Sequence, residues 1–401
     1  MLKYAIRHYS RRPLSNLLLI LQMIVIHVIC IALISSVASR YDEYAPFRSV
    51  MRGEGNYYNI MNAFDPDTGD VYSAEQLAQK LNGNCRISCV YDHYDVYWYT
   101  KDAWDSELFR VLTLDDDILR DYCPPLSAGE WISVSRDYGG CVPVVITPNK
   151  MGYTLGTKLQ YRIGEDERTA VVVGILQDYG RVPIPVPVED DGELSVHQFY
   201  TTYSAAVEGQ PLLISAESLF TPTYSQQNGM MFVQYPDGIS AEDQAENHAF
   251  LLRYGSVFQN AELPMLRHNT WRYIFAQFLT LLPVAAAVLI LAVTSILSMS
   301  ALAAKRQLRD YAVYALCGLP WKRCLRIHAA EMMLSNATAF VLTWVGMFVC
   351  KPLYENTVLR IGISQILSGV VVMLFCLVTA LILPRQLFHR NSLKTVLQNE
   401  E

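Results

Sequence analysis

Charge is what this 401-residue sequence has least of: Asp, Glu, Lys and Arg together make up 17% of it, and four long stretches carry none. That scarcity argues against a purely soluble protein. Histidine is also rare, with eight in the chain. His93, His197, His248 and His268 show no metal-ligand spacing, and no Ser, His and Asp set can be assembled from the linear order. Neither a metal centre nor a catalytic constellation is expected, and no cofactor. A phosphate-binding loop is missing too. The one lookalike, GYTLGTKL at 152–159, has too few residues between Gly152 and Gly156, and Leu159 follows Lys158 where Ser or Thr must hold magnesium, so it is read as a β turn. No internal repeat or low-complexity tract occurs, which leaves no basis for a repeat array.

What the sequence does have is apolar length. A helix of about 20 apolar residues crosses a bilayer, and Leu14–Val37, Phe275–Ala304, Met332–Cys350 and Ile363–Leu383 each meet that need without a charge. We read four spans, the second long enough to tilt or to continue beyond the membrane. The first run is longer than the core of a signal peptide and is expected to be retained. Basic residues flank the spans unevenly. Lys3, Arg7, Arg11 and Arg12 precede the first; Lys305, Arg306, Arg309, Lys322, Arg323 and Arg326 lie between the second and third; Arg385, Arg390 and Lys394 follow the fourth. Basic flanks stay cytoplasmic, so both termini are expected inside and residues 40–270 outside. Those residues hold 33 acids against 16 bases, while the remainder is net basic. An acidic surface repels phosphates, so nucleic acid is not an expected partner. His27 and Gln22 lie within the first span, where a neutral His is expected to bond a neighbouring helix.

Between the first two spans, short helical and strand-like pieces alternate. Ser73–Leu81 reads as a helix with Ser73 as N-cap and Gln76 at the capping-box position. Strands are expected in ISCVY, DVYWY, EWISVS, VPVVITP, GTKLQYRI and RTAVVVGIL, with Glu165 and Asp166 at a hairpin tip. Asp92, Asp95, Tyr97, Trp98 and Tyr99 invite a carbohydrate reading, but alternation makes them an ordinary half-buried strand. Asp115, Asp116 and Asp117 suit the positive end of a helix, and Ser240–Tyr254 is a second acid-started helix before the strand SVFQNAEL. RVPIPVPVEDDGELS reads as an exposed loop. Cys85, Cys89, Cys123 and Cys141 lie in this outer part, as free thiols or in one of three pairings.

The segment KRQLRDYAVYALCGLPWKRCLRIHAAE, 305–331, joins the second and third spans. Two short helices are expected, Arg309–Cys317 and Trp321–His328, separated at Gly318 and Pro320. They would form a basic elbow at the inner surface, in contact with lipid headgroups or with a cytoplasmic partner. Arg309, Asp310, Tyr311, Gly318, Trp321, Lys322 and Arg323 resemble the signature of the FtsX/MacB-type (type VII) ABC transporter permeases. Ala315 and Pro320 depart from that signature. LPRQLFHRNSLKTVLQNE resembles the family's ending, in which a proline closes the last span and a basic amphipathic helix follows. MLKYAIRHYSRRPLSNLLLIL resembles its leading amphipathic helix.

The resemblance implies an α+β membrane protein with four transmembrane helices. A large extracytoplasmic α/β domain with a β-rich insert at about 126–222 would stand between helices 1 and 2. The implied parts are a cytoplasmic amphipathic helix at 1–13, spans at 14–38, 271–304, 330–350 and 363–384, and the outer domain at 39–270. A coupling elbow at 305–329, an outer loop at 351–362 and a cytoplasmic tail at 385–401 complete them. It further implies a non-catalytic subunit of a bacterial cell membrane, working as a homodimer with a separate ABC ATPase that binds ATP and magnesium. The seven signature residues would dock on that ATPase. An extracytoplasmic peptide, lipoprotein or antibiotic would be exported or released; an FtsX-like regulator of wall hydrolases is the alternative, and a membrane-tethered receptor or enzyme without energy coupling a third reading.

Overall fold

A computed structural model describes residues 9, 13–100, 103–163, 166–185, 194–206, 209–220, 227–350 and 363–390. The chain divides into two compact units, Arg40–Ile274 on one hand and Met1–Ser39 with Phe275–Glu401 on the other.

Four helices supply the apolar unit: α1 (Pro13–Tyr44) in part, α5 (Leu263–Leu316) in part, α6 (Trp321–Val349) and α7 (Ile363–Arg390). All four are long and apolar enough to cross a membrane. Their outward faces carry Leu, Val and Ile, as lipid solvent requires, whereas Met23, Ile26, Ile296, Ala339, Cys376 and Ala380 pack inward as one cluster. His27 differs from expectation. Its Nδ1 lies 2.7 Å from the Met23 carbonyl of its own helix, and its ring meets the Phe340 ring edge-on at 5.9 Å. The turn before it is the nearer acceptor. The last helix continues through Pro384, since α7 runs to Arg390. The leading helix at 1–13, the outer loop at 351–362 and the tail after 390 fall outside the described residues apart from single positions.

The other unit is a mixed sheet with helices. Its strands in chain order are β1 (Gly55–Met61), β2 (Arg86–Thr100), β3 (Ala103–Leu114), β4 (Leu126–Gly129), β5 (Val142–Ile146), β6 (Lys158–Ile163), β7 (Asp166–Leu176), β10 (Leu213–Ala216), β11 (Gln227–Gln234) and β12 (Ser256–Glu262). They order as β12-β1-β11-β2-β3-β10-β5-β7-β4, with β6 pairing β2 and β7. β4, β5, β6, β7 and β10, all from 126–222, therefore share one sheet with strands on either side of them in sequence. A separate pair, β8 (Gly180–Pro183) and β9 (Tyr200–Tyr203), runs antiparallel. ISCVY and DVYWY merge into the single strand β2, which continues through a register shift opposite β3 between His93 and Val96.

EWISVS is not a strand. β4 ends at Gly129, Glu130 donates its amide to the Val173 carbonyl, and the Trp131 indole donates to the Leu119 carbonyl at 2.9 Å, so side-chain anchoring replaces a ladder. The stretch read as an exposed loop begins instead as β8, with Val182 and Ile184 buried. Residues 186–193 and the tip at 164–165 lie outside the described residues.

Helices α2 (Ala74–Lys80), α3 (Asp116–Asp121) and α4 (Ala241–Arg253) complete the unit. Their starts follow the sequence. Ser73 and Gln76 form a reciprocal capping box, Asp115 accepts the Asp117 amide, and Ser240 accepts the Asp243 amide. Gly255, at φ +78, turns α4 into β12. A Cβ there would come within 2.7 Å of the Asn62 carbonyl. Two cores lie against the sheet, one around Tyr58, Leu77, Tyr91 and Tyr254, the other around Val111, Val144, Tyr161 and Phe220. All nine cysteines are free thiols.

Candidate functional site

The elbow is built differently from the two short helices expected. Its first half is the last part of α5 and its second half is the first part of α6, so the connection is the tip of a long helical hairpin. The turn follows from Gly-Leu-Pro. Gly318 adopts φ +93 and its amide bonds the Ala315 carbonyl at 3.0 Å, while the Leu319 amide reaches back to the Tyr314 carbonyl at 2.9 Å. This pair of bonds is the Schellman arrangement that satisfies the last carbonyls of a helix. Pro320 then opens α6, and its carbonyl accepts from the Arg323 amide at 2.7 Å.

Under the turn, Ala304, Tyr311, Cys324 and Ile327 form a small buried cluster, with Tyr314, Leu319, Leu325 and Ala330 packed against it. Of the seven residues singled out in sequence, Tyr311 is buried and holds the hairpin together, and Gly318 makes the turn. Asp310, Lys322 and Arg323 are exposed. The side chains of Arg309 and Trp321 lie outside the described residues. Lys305 and Arg306 are exposed as well.

Sequence reasoning missed two members of this surface. Val313 is 48% exposed and Leu316 is 65% exposed, on the last turn of α5. Exposed apolar side chains at a turn whose two arms also expose Lys305, Arg306, Lys322 and Arg323 are a feature of contact surfaces. Their spacing from Tyr311 is a usable signal, since residues two and five positions on cannot all share its buried face.

The outer unit contains a cavity of about 820 Å³ lined by the start of α2, by β2, by the start of α3 and by the segment after β10. Tyr72, Tyr91, Ile87 and Phe220 give it apolar walls, and Glu217, Asp115 and Asp116 bring carboxylates to it. Glu217 accepts the Ala74 amide at 3.2 Å. Burial, and then the charges of Asp115 and Asp116, raise its carboxyl to about 7 against the restraint of that bond. Burial and the neighbouring Asp116 raise Asp115 to about 6. Arg86 also lines the cavity but is bridged to Asp117. His93 is buried with Nε2 3.1 Å from the Thr113 hydroxyl, and burial lowers it to about 3, so it is neutral. Asp115 starts a helix, as its place in the sequence predicts. Nothing in the linear sequence marks Glu217, which only the fold brings to Asp115.

A third cluster ties together distant segments of the outer unit. Glu43 pairs with Arg181 and lies 3.3 Å from His197 Nδ1, the Tyr273 hydroxyl lies 2.9 Å from the same nitrogen, and Tyr200 donates to the Glu43 carbonyl at 2.9 Å. Among the described residues no group of His, Cys, Asp and Glu could hold a metal ion.

No family model matches the chain, and no curated protein does. Among solved structures, the periplasmic region of MacB from Actinobacillus actinomycetemcomitans is similar over 55% of this chain and 94% of that one, at 10% identity and a TM-score of 0.28. The extracellular domain of the noncanonic ABC-type transporter YknZ from Gram-positive bacteria is similar over 51% of this chain and 98% of that one, at 10% identity and a TM-score of 0.26. Similarity at that level carries no conclusion about function.

Proposed function

We propose that the chain is the permease subunit of a MacB/FtsX-type ABC transporter, coupling ATP hydrolysis by a separate ATPase to movements on the far side of the membrane. The observation that carries this reading is the hairpin tip: a capped turn with exposed Val313 and Leu316 on the end of its first arm and exposed Lys322 and Arg323 on the start of its second, on helices that continue as apolar spans. A tip of that composition is suited to a cytoplasmic partner with an acidic, partly apolar socket. Both termini then lie in the cytoplasm with the elbow, and Arg40–Ile274 faces outward. α5 belongs in part to each unit. The chain itself performs no bond chemistry, works as a homodimer, and moves or releases an extracytoplasmic peptide, lipoprotein or antibiotic.

Co-purification tests the reading. Full-length protein in detergent should retain an ABC ATPase encoded beside it, and Lys322→Glu with Arg323→Glu should weaken that association about tenfold or more, as expected for charges reversed in an interface. Equal recovery of the ATPase with the wild type and the reversed-charge variant would overturn the proposed docking surface.

A further inference from the structure

The elbow is a V of two helical arms, and a V can flex unless something braces it. Gln307 on α5 and Glu331 on α6 are both buried, 3% and 4% exposed. The Gln307 amide donates from Nε2 to Glu331 Oε2 at 2.8 Å, and the Tyr311 hydroxyl donates to Gln307 Oε1 at 2.6 Å. Donors and acceptors match along that chain. The carboxylate accepts, the amide gives with its nitrogen and accepts with its oxygen, and the phenol gives. Counting along the helices at about 1.5 Å per residue, the bridge stands roughly 13 to 15 Å from the turn on either arm. Together with the Schellman turn it closes a triangle, and the buried Tyr311, Cys324 and Ile327 fill that triangle.

A carboxylate buried beside the membrane costs several kcal/mol in general. A Leu at either position would pack without that penalty, so burial alone does not account for the pair. What a directional polar bridge supplies over apolar packing is a single register between two helices. We propose that Gln307, Glu331 and Tyr311 are positioning residues that brace the elbow, so that a displacement at the tip is delivered to α5 as rigid-body motion instead of being lost in opening of the V. This inference rests on the docking reading above for its purpose, though not for its geometry.

The test uses the full-length protein, reconstituted with and without its ATPase, with spin labels placed at the exposed positions 302 and 333 on the two arms. The wild type should give one narrow inter-arm distance, unchanged when ATP is added. The Gln307→Leu/Glu331→Leu pair keeps apolar volume and should fold and still bind the ATPase, yet show a broadened distance and lose about fivefold or more of the coupled ATP turnover. The swap Gln307→Glu/Glu331→Gln preserves both hydrogen bonds, because the carboxylate introduced on α5 would accept from Tyr311 and from the new amide on α6. It should restore the narrow distance and the turnover. A narrow distance in the Leu pair, or a swap as broad as the Leu pair, would overturn the brace. Failure of the wild type to bind any ATPase would instead remove the docking reading, while the distances measured without ATPase still judge the brace.

Discussion

Replacing Glu217 by Gln should stabilise the outer unit at alkaline pH and leave it unchanged at mildly acid pH. Gln is nearly isosteric and keeps an oxygen for the Ala74 amide. Burial first, and Asp115 and Asp116 next, hold the wild-type carboxyl near 7 in the fold, above its ordinary 4.5. Below that ordinary value both folded and unfolded chains carry the proton, and no penalty exists. As pH rises toward 7 the unfolded chain releases its proton while the folded chain keeps it, so wild-type stability falls. Above the folded value both states are ionised and the penalty is at its full size. A shift of this size corresponds to about 3 kcal/mol at 1.36 kcal/mol per pKa unit, which partial solvent access to the cavity reduces to about 2 kcal/mol. For a domain of this size that is about 4 to 8 °C in Tm. Thermal unfolding of the full chain in detergent, followed by near-ultraviolet circular dichroism, should show that gain at about pH 8 and nearly none at about pH 4.5. The same gain at both pH values, or a wild type that becomes more stable relative to the Gln variant as pH rises across this window, would refute the reasoning about the cavity.

Other outcomes follow from the same geometry. Glu43→Gln removes one partner of the partly buried pair with Arg181 and leaves the guanidinium and His197 facing a neutral amide, which should cost about 1 to 3 kcal/mol in the same unfolding assay. Ser73→Ala abolishes the capping box of α2 and should cost about 1 kcal/mol, visible as faster hydrogen exchange confined to the first turn of that helix. Gly255→Ala forces a side chain into the left-handed region against the Asn62 carbonyl, and should destabilise the outer unit by about 1 to 3 kcal/mol. Native thiols report topology. In intact cells a membrane-impermeant maleimide should modify the exposed Cys123 and spare the exposed Cys317, as located by mass spectrometry; the reverse pattern would invert the orientation.

Much of this architecture can be read from sequence because two kinds of signal are local. Membrane spans need only length and apolarity, and all four runs are helices in the structure. Helix starts need only a short polar residue at the right place, and Ser73, Asp115 and Ser240 each take that role. What escapes depends on partners far along the chain. Val182 and Ile184 are buried because β8 finds β9, across a segment rich in proline and acid that reads as exposed. Trp131 reads as a strand residue because only the fold reveals that its indole reaches the Leu119 carbonyl. The elbow reads as two short helices because its polar and basic residues interrupt the apolar pattern, although helical hydrogen bonding continues through them on both arms. Gln307 and Glu331 stand 24 positions apart in plain view, yet linear order cannot say that they meet. Glu217 likewise becomes a cavity residue only through the placement of β10 beside β3 and β5.

The most direct measurement is ATP turnover by the proposed partner, an ABC ATPase sought among the genes beside this one, with and without this protein in lipid nanodiscs. The account predicts that wild-type protein changes the rate severalfold and that Lys322→Glu/Arg323→Glu, at the exposed tip of the hairpin, abolishes the change. A turnover rate indifferent to the wild-type protein, or altered equally by the reversed-charge variant, would contradict it.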